Sequence, residues 1–145
     1  MTTRPTTWNA EAMRELGTRH ALLEAEGKLD LVMDTLIEDP IYEFWPIGLR
    51  MRGRDQVLRY YEHLIGTFFA KQQSFRLIEE WLSERSLIQE YEMVVDLGDG
   101  PETQRVIGIL FAQDGLLGGE RVWGSKALLQ AMIGPVWSEL ESIAG

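Results

Sequence analysis

The chain has 145 residues, 45% hydrophobic and 26% charged, with a formal charge of −9, the balance of one globular domain over 1–145. It has no cysteine and only two histidines, His20 and His63, which excludes disulfides, thiol catalysis and a histidine-rich metal centre; we expect no metal and no cofactor. The acidic balance argues against nucleic acid, whose phosphates need clustered Lys and Arg, and no run approaches the ~18 apolar residues of a membrane span.

The first residues, Met1 to Thr7, carry no apolar leader core, so 1–8 read as a loose tail and the protein as cytoplasmic. Met13, Leu16, His20, Leu23 and Gly27 then recur at steps of three and four, which predicts a helix over about 9–26 with Gly27 as its left-handed stop. A second helix follows over 29–37 on the stripe Leu29, Val32, Met33, Leu36 and Ile37, ended by Pro40. Ile41 to Trp45 reads as a short aromatic strand, Pro46 and Gly48 as a turn, and Leu49 to Arg52 as a second strand. A third helix over 55–69 carries Val57, Leu58, Tyr61, Leu64, Ile65 and Phe68 on one face.

From Ser74 the period changes to two. Strands are expected over 75–82, 87–97, 103–112 and 116–123, joined by tight turns such as Gly98-Asp99-Gly100-Pro101 and Asp114-Gly115. Tight connections make these strands antiparallel neighbours. A helix over 125–133, broken by Gly134-Pro135, leads into a tail helix over 134–145. Helices followed by a meander give an α+β fold.

Two motifs fail on inspection. Gly119 to Lys126 has Walker-like glycine spacing, but Ser and Lys stand in the wrong order and strand residues fill the loop. Asp96 to Glu102 lacks the alternating carboxylates of a calcium loop. The Arg50, Arg52, Arg54 run reads as a solvated turn and helix start in preference to an anion site.

The candidate site residues come from face assignment. His20 on an apolar helix face is either an acid/base facing a pocket or a core histidine with a hydrogen-bond partner. On the last strand Gly119, Arg121 and Trp123 share one face, Glu120 and Val122 the other. Turned inward, Arg121 is a fixed cation for a substrate carboxylate or an enolate; turned outward, it is a salt-bridge partner. Glu90 reads as a desolvated base or as a solvated carboxylate. Tyr42, Phe44, Trp45, Tyr61, Tyr91 and Trp123 are candidates to line a pocket for a flat apolar ligand, or are core.

The order helix, aromatic strand, Arg52-Gly53-Arg54, helix resembles the SnoaL-like branch of the NTF2-like superfamily, with polyketide cyclase, ketosteroid isomerase and limonene-epoxide hydrolase relatives; the resemblance covers residues 11 to 133. It implies a cone: a curved, mostly antiparallel sheet with three helices from the N-terminal half on its concave face, enclosing a funnel, and a homodimer. Aligned on Gly27, His20 falls where the isomerases place a catalytic tyrosine. Their base position holds Phe44 or Trp45, and their second acid falls near Gly108. In the closing strand Glu120, Arg121 and Trp123 match, whereas the expected Asp is Ser125. The hydrolase Arg/Asp pair would here be Arg121 and Trp123. The resemblance thus implies either a cofactor-independent isomerase, cyclase or lyase acting on an apolar carbonyl compound, with His20 as acid/base and Arg121 stabilising negative charge, or a non-catalytic binder of a small apolar or aromatic molecule. A dimeric accessory protein with a filled interior is the third reading.

Overall fold

The computed structural model describes residues 7–143. Helix α1 spans Ala10–Ala25; the Asn9 side chain caps its N-terminus by accepting from the Ala12 amide at 2.9 Å. Gly27, at φ 71°, ends the turn that follows, a conformation that costs a residue without Cβ little. Helix α1 lies close against the sheet because position 17 is glycine: a Cβ there would sit 2.6 Å from Leu87 Cδ2.

Helix α2, Leu29–Asp34, is shorter than its hydrophobic stripe predicts. The chain turns at Thr35, and strand β1 already begins at Leu36 and runs to Trp45. Apolar runs of this length fit either period, and here sheet pairing wins: the Leu117 amide donates to Thr35 O at 2.8 Å and Leu36 aligns with Leu117. Pro40 is tolerated inside β1 because the register with β6 shifts between Leu36 and Ile41. Strand β2 is Leu49–Arg52 and helix α3 is Arg54–His63. The predicted third helix continues beyond α3 as a π turn over Leu64–Phe68 and a 3-10 turn over Phe69–Lys71. Arg54 is no solvated charge: its guanidinium donates to the carbonyls of Met33, Leu36 and Ile37 and clamps the α2–β1 junction.

Strands β3 (Gln72–Leu82), β4 (Ser86–Asp96), β5 (Pro101–Gln113) and β6 (Leu116–Trp123) form the meander. Helix α4, Lys126–Ile133, is capped by Ser125. The C-terminal helix expected after it is instead a 3-10 segment, Gly134–Glu139, followed by strand β7, Glu141–Ser142, which pairs with β2. The loose-tail reading of 1–8 falls mostly outside the described residues; Trp8 itself donates from Nε1 to Glu84 O at 2.6 Å.

The seven strands form one sheet in the order β3-β4-β5-β6-β1-β2-β7. Among the described residues only the β1–β6 pairing is parallel. Alternation then fixes the two faces. Leu87, Leu110, Glu120, Tyr42 and Met51 lie in line across the concave side, and Ile88, Ile109, Arg121 and Glu43 across the convex side. The core is the space between the concave face and the helices, filled by Met13, Val32, Phe44, Val57, Tyr60, Phe68, Leu128 and Ile133 among others.

Candidate functional site

A cavity of about 420 Å³ lies between the concave face and helix α1, the α3–π segment and α4. Its walls are mostly apolar: Leu64, Phe68, Phe69, Met93, Leu110, Val122 and Met132, with Phe75 and Leu77 from the edge strand β3. The last two are 57% and 47% exposed, which puts them at the mouth. The polar lining is His20, Glu24, Tyr60, Gln72, Gln89, Tyr91 and Glu120.

Glu120 is the group with unusual chemistry. It comes from β6, in register with Leu110 and Tyr42, and reaches one rung along the sheet into the space left by Gly108. A Cβ on Gly108 would lie 2.7 Å from Glu120 Oε2 and 3.5 Å from the Tyr91 hydroxyl. Among the described residues the Glu120 carboxyl has no hydrogen-bond partner. Burial, and after it the Glu24 charge, push it up from 4.5 to about 8. Water-poor surroundings penalise the charged form and a like charge adds to the penalty. At neutral pH the group is therefore a protonated acid close to its titration point. The phenols of Tyr60 and Tyr91 are pushed well above their ordinary value by burial and by the Glu120 charge, so they remain donors.

His20 sits beside this group in a directional chain. It is 1% exposed, with Nδ1 2.7 Å from Thr35 Oγ1 and Nε2 2.9 Å from the Tyr61 hydroxyl. The Thr35 hydroxyl is 2.6 Å from Val32 O, a carbonyl that can only accept. Its proton is therefore committed there, and Thr35 Oγ1 accepts from His20 Nδ1–H. In the neutral ring Nε2 then accepts from Tyr61, whose oxygen accepts in turn from the Tyr42 hydroxyl 2.6 Å away. Burial holds both phenols far above their usual value. Glu24 Oε2 lies 3.5 Å from Nε2, one helical turn along α1. Both ring nitrogens are thus engaged within the fold.

The structure brings only some of the expected residues to the cavity. His20 and Tyr91 line it; Tyr42 and Tyr61 stand behind the lining and reach it through His20; Phe44 is fully buried core. The inward placement of Arg121 is corrected: the strand's alternation turns it to the convex face, with its guanidinium carbon 5.0 Å from the Phe111 ring centre. Trp45 and Trp123 stack on each other at 5.6 Å on that same face, so neither is a cavity wall. Glu90 also faces outward, paired with Arg105 at 2.7 Å. Reading the sequence missed Glu24 and Glu120. The signal for the first was its place four residues after His20, and for the second its position opposite Arg121 on an alternating strand. Among the described residues no cluster of His, Asp and Glu could hold a metal ion.

Comparison with known proteins places the architecture. No family model matches the chain, and no curated protein matches it. Solved structures do. An NTF2-like protein of unknown function from Burkholderia xenovorans superposes with a TM-score of 0.61 at 22% identity, over 79% of this chain and 84% of that one. The fold is NTF2-like. A protein from Kribbella flavida provisionally named a ketosteroid isomerase gives 0.65 at 18% identity, over 81% and 80%. A de novo designed protein with a curved β-sheet gives 0.66 at 12% identity, over 89% and 97%. At these identities the NTF2-like likeness speaks for the fold; chemistry must be argued from the cavity.

Proposed function

We propose that the cavity binds a small, largely apolar carbonyl compound and moves a proton at the carbon beside the carbonyl, without a cofactor, as an isomerase, cyclase or lyase does. The observation that carries this reading is the Glu120 carboxyl, unpartnered in an apolar cavity and pushed up to about 8. An acid/base works best when its titration point lies near the working pH. Glu120 takes the role expected of His20. As carboxylate it removes the proton, and as acid it returns it to the neighbouring carbon. Tyr91, whose hydroxyl lies beside the Glu120 carboxyl over Gly108, donates to the carbonyl oxygen as negative charge develops there. His20 is a positioning residue: it fixes the direction of the Tyr42–Tyr61 hydrogen bonds behind the wall.

A β,γ-unsaturated cyclic ketone such as 3-cyclohexenone is a simple probe, because conjugation is followed by absorbance and deuterium uptake by NMR. The rate is expected to rise with pH through about 8, and Glu120→Gln to reduce it at least about 100-fold. Equal rates for the native protein and this variant would end the catalytic reading.

A second reading, a non-catalytic binder, is favoured by one observation: both nitrogens of His20 are occupied inside the fold. The reading also includes a homodimer formed through the convex face. Trp81 and Trp123 are each 43% exposed there, and Ile88, Ile107 and Ile109 lie between them across the strands. Among the described residues no helix is long and apolar enough to cross a membrane.

A further inference from the structure

We infer that the cavity selects ligands carrying a basic amine, whose ammonium group lies between the carboxyls of Glu24 and Glu120. The inference rests on the reading of the cavity as a ligand site and names the class of ligand. Among the described residues two carboxyls line the cavity, and no Lys or Arg does. Arg121, the residue next to Glu120, is turned to the opposite side of the sheet over Phe111. Among the described residues the ion-pair contact of Glu24 is with the edge of His20, at 3.5 Å. That ring needs no positive charge to satisfy its partners.

A half-buried carboxyl without a partner in an apolar cavity is costly as an anion. Protonation of Glu120 is one way to meet that cost. A cation in the same place meets it by pairing. The rest of the wall suits a cation with an apolar body: Tyr60, Phe68, Phe69, Phe75 and Tyr91 present aromatic rings, with Phe75 and Tyr91 4.7 Å apart between centres, and ring faces attract ammonium groups. A ligand carboxylate would meet the Glu24 charge, would hold Glu120 in its protonated form, and among the described lining residues would find no counter-charge.

Linkage follows from the same geometry. The groups facing Glu120 are Glu24 and His20 from α1, Tyr60 and Tyr61 from α3, Tyr42 from β1 and Tyr91 from β4. None is a permanent cation, so an incoming ammonium is the charge that lowers Glu120 and expels its proton. An amine-bearing substrate would then generate the carboxylate base that acts on it.

The test is calorimetric titration of the full chain near pH 7 with matched amine, alcohol and carboxylic acid probes on phenethyl, naphthylethyl and adamantylmethyl frames. Each is run in phosphate and in Tris, whose ionisation heats differ, so that proton release is counted. The amine is expected to bind about tenfold tighter than its alcohol and to release close to one proton, while the acid does not bind. Glu24→Gln is expected to remove the amine preference over the alcohol, and Glu120→Gln to abolish proton release. Thermal melts confirm that each variant is folded. Alcohols binding as tightly as amines would overturn the inference and leave the ligand cavity standing. An amine preference without proton release, or one surviving both substitutions, would place the cation elsewhere on this acidic protein and overturn it too. Failure of every probe to bind would overturn both readings.

Discussion

At the scale of single residues, the account turns on a carboxyl held against its ordinary chemistry. Glu120 keeps its proton to about pH 8 in the folded chain, whereas the unfolded chain releases it near 4.5. Between those values the folded state binds more protons than the unfolded state, so stability falls as pH rises and the full cost stands above pH 8, on the order of 3–5 kcal/mol. Glu120→Gln is therefore expected to stabilise the protein at pH 8.5 and to flatten the pH dependence of its urea midpoint; an unchanged slope would mean that the carboxyl is better solvated than its surroundings indicate. Gly108→Ala puts a methyl 2.7 Å from Glu120 Oε2, and a flexible carboxyl can move aside. Turnover of the ketone probe should fall while the melting temperature changes little. Thr35→Val removes the acceptor of His20 Nδ1–H and should cost about 1–3 kcal/mol, with imidazole ¹⁵N shifts reporting loss of the fixed tautomer. His20 was legible as a polar residue on an apolar helix face. What could not be read was that Thr35, at the end of the next helix, and Tyr61, 41 positions along, occupy both its nitrogens. Such long-range partners leave no local pattern.

At the scale of elements, periodicity located the meander well, and β6 and α4 within a residue, because alternating strands between Gly-rich turns have few other solutions. It failed where an apolar run fits both periods. Leu36 and Ile37 continue the stripe of α2, yet they belong to β1, since the β6 edge offers them backbone partners that another helical turn would leave unmet. The same strand pair hides a strict requirement. Gly119 has φ 145°, and a Cβ there would collide with the Ile41 carbonyl. Gly119→Ala is expected to cost more than about 3 kcal/mol, measured as a drop in urea midpoint; a loss below about 1 kcal/mol would show that β1 and β6 can separate locally. Alternation also divided β6 correctly into an Arg121 face and a Glu120 face. Which face looked inward depended on the curvature of the whole sheet, which no strand encodes by itself. Arg121 was weighed for the site for that reason and Glu120 was not.

For the whole molecule, the resemblance carried by the aromatic strand and Arg52-Gly53-Arg54 led to the right architecture, and solved structures at 22% identity or less agree with it. A designed protein shares the curved sheet, and a scaffold by itself names no activity. Function has to come from what the cavity contains. The convex side makes its own demand. If a second copy covers it, Trp123→Glu should convert dimer to monomer in sedimentation velocity, whereas a native chain already sedimenting as a monomer would refute that arrangement. The claim on which catalysis, ligand charge and pH-dependent stability all depend is the protonation of one side chain. Carbon-13 NMR titration of a [δ-¹³C]glutamate-labelled sample, with Glu120 assigned from Glu120→Gln, measures it directly. The account predicts a midpoint at about 8; a midpoint near 4.5 would contradict it.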